Sequence, residues 1–516
     1  MCDDFISVLN DVIGPVMRGP SSSHTAASHR IGRIARDLLG EPPASALFVF
    51  DPDGSYGSVY RQQGVDLALV SGLLERPITD EFFKNSLFMA GEQGINILFE
   101  LRTLKNADHP NIVDMFIEGK SGRKLEARAR STGGGLIQFD SVNGRPVVIT
   151  GKSHHCLVEA RKQDQSLLRD ILAVFFPAVR PIQARNGSLL VNIRSAEPFP
   201  ADFLKRMKRE LTGPDIRTCS PVFYPQRGEV LFRIVEDMVD YTEKNALSLG
   251  EAVLDYESRL LGRTREDILN ETISRLCVMT RSVEQGLDDS AVDMALLPAS
   301  ASKILTAEKQ GHLPIGGLHA RAAARAMAAM HAGNSSGVVC AAPTGGSAGV
   351  IPGVIVTLQN DRGLEERKAA LCLLAAGGIG LLVARRATFA AEIAGCQVEI
   401  GAAGAMAAAA VIEFGGGTAR QALDAAAVAF QNTMGSVCDL VQGMCEIPCH
   451  TRNAAAAASA FVCADLIIGG YVNPIPLDET IDAVLAVGQA MPSELRVTSL
   501  GGLAVCPSAL SLKHRR

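Results

Sequence analysis

Neither charge dominates this chain of 516 residues: 50 lysines and arginines stand against 55 aspartates and glutamates, a formal net charge of -5. That excludes a global positive field for holding nucleic acid. Cysteine is sparse, with 12 in the whole chain, too few for a disulfide-stapled framework. The opening MCDDFISVLNDVIG carries acids where a secretory leader would carry a basic segment, so a cytosolic, reducing location is expected. Apolar runs at 369–383 and 400–412 are flanked or interrupted by charge or glycine and fall short of a clean membrane span, so they read as buried helices and no membrane partner is expected. No unit recurs at a fixed period, which argues against a solenoid. Aromatic residues are only 5% and tryptophan is missing, yet 47% of the residues are hydrophobic, which supports folded domains rather than disorder.

What is present changes character near the middle. Up to about residue 235 the chain carries short β-rich pieces at 46–50, 134–139, 145–149, 189–193 and 230–234, separated by turn residues. Beyond it alanine-rich helix formers dominate, punctuated by glycine about once per helix. The expected fold class is α+β N-terminal domain(s) followed by a large all-helical C-terminal domain. Its expected divisions are 1–160, a small α+β subdomain or linker at 161–240, and a helical domain at 241–516.

Three groups of residues carry chemistry. Ser21, Ser22, Ser23, His24 and Thr25 precede an amphipathic helix. They read either as an N-cap with spare hydroxyls or as a carboxylate site with His24 beside it as acid or base. The glycines at 133–135, Gly134 among them, let backbone approach a ligand or simply turn. Cys396, Cys438, Cys445 and Cys449 form no CxxC knuckle, and by spacing alone suit zinc or an iron–sulfur cluster equally. A pyridoxal-phosphate enzyme is disfavoured, because Lys152, Lys303, Lys309 and Lys368 lack a convincing glycine-rich phosphate cradle.

GPSSSHT at 19–25, the glycines at 133–135, AAPTGGSAGVIP at 341–352, EIAGCQVEIG at 392–401, CDLVQGMCEIPCHTRNA at 438–454 and TSLGGLAV at 498–505 occur in one order. In this ordered set the chain resembles the iron–sulfur-dependent L-serine dehydratases, over nearly its whole length. The resemblance implies a [4Fe–4S] cluster with one open iron, ligated by Cys396, Cys438 and Cys449, with Cys506 in the place of a fourth ligand. It implies β-elimination of L-serine to pyruvate and ammonia, with the carboxylate held by Ser21, Ser22, Ser23 and Thr25, and His24 as base. Gly134, Arg61, Thr344 and Asn453 join the expected substrate shell. A homodimer acting on a small amino acid or hydroxy acid is implied as well.

The chain also departs from that family pattern. Gln63 stands where the family has histidine, and Gly345 where it has asparagine. These changes point to L-serine or to a related β-hydroxy substrate, with Arg61, Tyr60 and Gln63 placed to read an additional polar or acidic group. Sulfide elimination from cysteine, dehydration of a hydroxy acid, and a non-enzymatic metal-binding or redox-sensing role are the competing readings.

Overall fold

The computed structural model describes residues 5–179, 183–185 and 188–515. A six-stranded sheet runs in spatial order Asn96–Leu101, Pro43–Phe50, Ile112–Gly119, Lys124–Gly133, Leu136–Val142 and Arg145–Ile149. Its first pair is parallel and the rest antiparallel. Helix Ala27–Leu39 buries Ile31, Ile34, Ala35 and Leu38 in the core it shares with this sheet. Helix Val65–Leu73 crosses it at glycine-to-backbone distance. A Cβ on Gly32 would lie 2.2 Å from Leu69 O, and one on Gly72 2.1 Å from His29 O. Only glycine permits that crossing, which fixes the turn of Ser22–Ala26 at the head of the first helix.

A second sheet, Asp215–Cys219, His154–Arg161, Ser188–Ser195 and Gln183–Arg185 in spatial order, is antiparallel throughout. Helices Gln165–Phe175 and Ala201–Glu210 supply Leu168, Ile171, Phe203 and Met207 to a separate core with Val158 and Val191. The order of elements is that of a split βαβ unit.

From Val235–Asn245 onward the described residues are almost entirely helical. Helix Ile400–Phe414 lies at the centre, its alanines fully buried, and packs against Glu366–Arg386, Ala419–Thr433 and Cys449–Ile468. Small side chains let these helices approach closely. The fold class is therefore as the composition suggests, with two exceptions, the first being that residues 230–234, expected as β-rich, form no strand. The second is strand Val338–Cys340, inside the helical part, which pairs antiparallel with Val16–Arg18. The preceding segment also belongs physically to the helices. Val8 and Val12 fill the surfaces of Gly377 and Gly380, and the Glu257 carboxylate accepts bonds from the amides of Val8 (2.9 Å) and Leu9 (3.0 Å).

Three helices, Glu366–Arg386, Cys396–Phe414 and Cys449–Ile468, are long and apolar enough to cross a membrane by length and composition. Their apolar windows are 78%, 78% and 44% buried inside the fold, the first two wrapped by their own protein as core helices are.

Candidate active site

Two walls face one another across a cavity of about 40 Å³. The first comes from the head of helix Ala27–Leu39 and the stretch before helix Val65–Leu73. Ser21 Oγ accepts a bond from the His24 amide (3.3 Å), capping the turn. The His24 ring is held at both nitrogens: Nδ1 lies 3.1 Å from the hydroxyls of Ser21 and Ser23, and Nε2 lies 2.9 Å from Ser55 Oγ. Tyr56 packs on the ring at 5.4 Å and donates to Ser23 O (3.0 Å). Burial pushes the His24 pKa down to about 4, so the imidazole is neutral at neutral pH. Thr25 Oγ1 donates to Gln63 O (2.9 Å), and the Gly345 amide donates to Ser22 Oγ (3.2 Å). That last bond joins the first wall to the second.

The second wall is built by helix starts. Cys396 sits in a short turn just before helix Ile400–Phe414, and Cys449 is the first residue of helix Cys449–Ile468. Cys438 lies in a loop clamped by the C-terminal segment: its amide donates to Leu495 O (2.8 Å), and its carbonyl accepts from Val497 N (2.9 Å). Ligand atoms of Cys396, Glu399 and Cys438 all lie within 4.8 Å of one another. The Cys438 thiol neighbours that of Cys396, and the Cys445 thiol that of Cys449, all four being free. Those contacts and burial raise the pKa of Cys438 and Cys449. A hydrogen bond from Cys438 and the charge of Arg452, 3.8 Å away, lower that of Cys396. Arg452 is itself fixed by Asp439 (3.0 Å) and Val437 O (2.7 Å). Burial holds Glu399 well above the usual carboxylate range.

Four thiols and a carboxyl shielded from water are a donor set suited to a soft metal or a metal–sulfur cluster, whose positive charge would offset their ionisation. The residues present fit such a group. A buried metal-binding site is therefore built from Cys396, Glu399 and Cys438, with Cys445 and Cys449 lining the same cavity.

Between the walls runs the loop around Gly345–Ser347. Thr344 and Ser347 cap each other across it. Asn453 accepts from the Gly349 amide (3.1 Å) and donates to Gly346 O and Cys449 O (2.9 Å each), tying the loop to the cysteine helix. Glu392 also lines the cavity and accepts a bond from Asn111 Nδ2 (3.0 Å). No lysine or arginine is among the cavity-lining residues.

The structure brings His24, Ser21, Ser23, Cys438 and Cys449 onto this cavity, with Cys396, Ser22, Thr344 and Asn453 immediately behind. Gly134 (φ +58°) stands beside the Pro343 carbonyl rather than on the cavity lining. Arg61 is exposed and lies over the Tyr60 ring, off the cavity lining. Cys506 is exposed, with its Sγ 3.8 Å from Gly502 O. Sequence reasoning missed Ser55 and Glu399. The first stands in the GSYGS turn and the second three residues after Cys396, so the Cys-x-x-Glu spacing was there to find. A larger groove of about 620 Å³ on the open sheet face, lined by Leu47, Leu98 and Phe116 among others, shares no residue with this site.

A neutral imidazole facing a buried soft-metal site across a small cavity is an arrangement suited to metal-assisted acid–base chemistry. The family model for the serine dehydratase alpha chain matches residues 244–504. L-serine dehydratase TdcG of Escherichia coli (strain K12) is 31% identical over 506 residues, covering 94% of this chain and 96% of that protein. Bacillus subtilis (strain 168) has a probable L-serine dehydratase alpha chain, 35% identical over 285 residues (55% of this chain, 95% of that one). Its probable beta chain is 39% identical over 148 residues (29% and 66%). The chain belongs to the serine dehydratase family, in a form that fuses regions similar to both of those chains. It is a lyase of that family.

Proposed function

We propose that this enzyme converts L-serine to pyruvate and ammonia at a [4Fe–4S] cluster held by Cys396, Cys438 and Cys449. The observation that carries the reading is the opposition of His24 to buried thiols across one small cavity. Bound there by three thiolates, the cluster supplies an iron with an open position, a Lewis acid that makes the substrate hydroxyl a better leaving group.

The chain's own residues do the rest. The hydroxyls of Ser21 and Ser23 hold the substrate carboxylate, while Ser22 and Thr25, engaged with the Gly345 amide and with Gln63 O, fix the turn behind them. His24 takes the Cα proton. Ser21 and Ser23, which touch Nδ1, line the cavity, whereas Ser55, which touches Nε2, does not. With Nε2–H donated to Ser55, the Nδ1 lone pair faces the substrate. Its low pKa keeps it unprotonated and ready as a base. The Cα–H and Cβ–O bonds break, a Cα=Cβ bond forms, and the leaving hydroxyl takes up the proton that His24 removed and departs as water. The released enamine takes up water to give pyruvate and ammonia. Asn453 and Thr344 position the loop that closes the carboxylate end.

Such an enzyme would act as a homodimer. The support is a set of exposed apolar side chains on the last turns of the cysteine helix and just beyond it: Val462, Leu466, Ile468, Tyr471, Val472 and Ile475. Light scattering of the purified protein tests this.

The test of the activity is anaerobic purification, iron and acid-labile sulfide determination, visible absorbance, and pyruvate detection with L-serine. About four irons and four sulfides per chain, with pyruvate, support the reading. Zinc alone, or no metal after reconstitution, overturns it.

A further inference from the structure

Gln63, like Glu392, Glu399 and Cys445, is a residue on the cavity whose chemistry the reaction above leaves unused. Its side chain is 4% exposed and lines the cavity beside His24. Its Nε2 donates to Gly443 O at 2.6 Å, which fixes which end of the amide is nitrogen and commits the donor to the cysteine loop. Its Oε1 is buried without a hydrogen-bond partner among the described residues. A buried acceptor left unpaired is costly, and such groups in folded proteins ordinarily have a partner or a ligand to meet. Gly443 O engages one of the two Nε2 hydrogens, and Arg61, the other residue expected to read an acidic group, is exposed off the cavity lining.

The remaining question is which substrate group an acceptor would meet. The carboxylate offers no hydrogen and is served by the hydroxyls of Ser21 and Ser23. The leaving hydroxyl belongs on the thiol side. An ammonium, with three N–H donors and no acceptor, is the group left over. The absence of lysine and arginine from the cavity lining favours a cation there.

We propose that Gln63 Oε1 recognises the α-ammonium of the substrate and makes this site selective for 2-amino acids over the corresponding 2-unsubstituted acids. This rests on the L-serine reading above. A site whose buried acceptor would go unpaired rejects an analogue lacking the matching donor.

The experiment compares L-alanine with propanoate, which share a carboxylate and differ in the ammonium; neither can eliminate water. Anaerobic calorimetry on the cluster-loaded full-length protein gives both affinities in wild type, Gln63→Leu and Gln63→Glu. The wild type is expected to prefer L-alanine by at least about 100-fold. Gln63→Leu is expected to erase most of that preference while leaving propanoate within about threefold. Gln63→Glu keeps an acceptor but loses the Gly443 bond, and is expected to retain the preference. Equal weakening of both ligands in Gln63→Leu, or loss of the preference in Gln63→Glu with the same cluster spectrum, reduces Gln63 to a strut and overturns the proposal. A wild type that binds the two alike overturns it too. A wild type that prefers L-alanine yet makes no pyruvate from L-serine leaves the recognition standing and sinks the elimination reading instead.

Discussion

The two walls of the cavity are assembled by different physics. The serine–histidine wall is held by hydrogen bonds as it stands: both ring nitrogens of His24 are partnered, the Ser22–Ala26 turn is capped, and burial keeps the imidazole neutral. The thiol wall is not held in that way. Cys438 and Cys449 lie buried beside other thiols and beside Glu399, so neither ionises readily without a cation to offset its charge. One wall is preorganised by hydrogen bonds, the other by a metal it must acquire. Damage to the second should therefore remove the centre, and damage to the first should leave it in place but slow.

The sharpest way to separate them starts with Cys438→Ser. Hydroxyl for thiolate is expected to strip the metal and reduce pyruvate formation to the background of metal-free protein, with iron content and visible absorbance falling together. His24→Ala should do the opposite: unchanged iron and absorbance, with kcat lowered by about 10²–10⁴-fold. If His24→Ala also loses its iron, the two walls are not independent.

The same residue gives a pH signature. His24 and His29 are each pushed from 6.5 down to about 4 by burial. Between those values the unfolded chain binds more protons than the folded one. Stability is therefore full above about pH 6.5 and declines as the pH falls toward 4. Denaturant midpoints measured across that window check the sign, and His24→Ala should flatten part of the slope.

Asn453→Ala tests the seam between the walls. It leaves the Gly349 amide and the carbonyls of Gly346 and Cys449 without a partner they now have, at a cost of about 1–3 kcal/mol. Stability should fall by that order, and, with the loop closing the carboxylate end as proposed above, KM should rise more than kcat falls.

How much of this was legible depends on the range over which each signal acts. The helix-rich texture beyond residue 235 and the ordered motifs were readable because composition and motif order survive in one dimension. The fully buried alanines of Ile400–Phe414 and the cysteines at helix starts are their direct expression. Long-range pairings left no such trace. Nothing local in Val16–Arg18 announces that it will pair with Val338–Cys340, more than 300 positions away, or that Val8 and Val12 will seat on Gly377 and Gly380. Ser55 escaped for the same reason: its value lies in meeting His24 Nε2 across the turn, and a serine in a glycine-rich turn otherwise signals only the turn. Arg61 shows the converse case. Its charge beside an altered motif invites a substrate role, whereas its side chain is exposed over the Tyr60 ring, off the cavity lining.

Arg61 and Cys506 supply the smallest expected effects, and these bound the comparison from below. Both residues are exposed, and neither lines the cavity. Substituting either with alanine should alter stability by no more than about 0.5 kcal/mol. For Arg61→Ala, kcat/KM with L-serine should stay within about twofold, since no cavity group loses a partner. For Cys506→Ala the informative readout is the resting absorbance. The segment carrying it is held to the cysteine loop through other atoms: Leu503 N to Asp439 (2.8 Å), Ser499 Oγ to Leu440 O (2.7 Å), and Gln442 Nε2 to Leu512 O (2.7 Å). Those bonds keep the loop clamped whether or not a thiol is present at 506. An unchanged spectrum would confine the metal wall to residues 396–449. A changed one would mean that this segment swings its thiol inward once the metal is bound, and the thiol wall would then include a residue that the present conformation leaves in solvent.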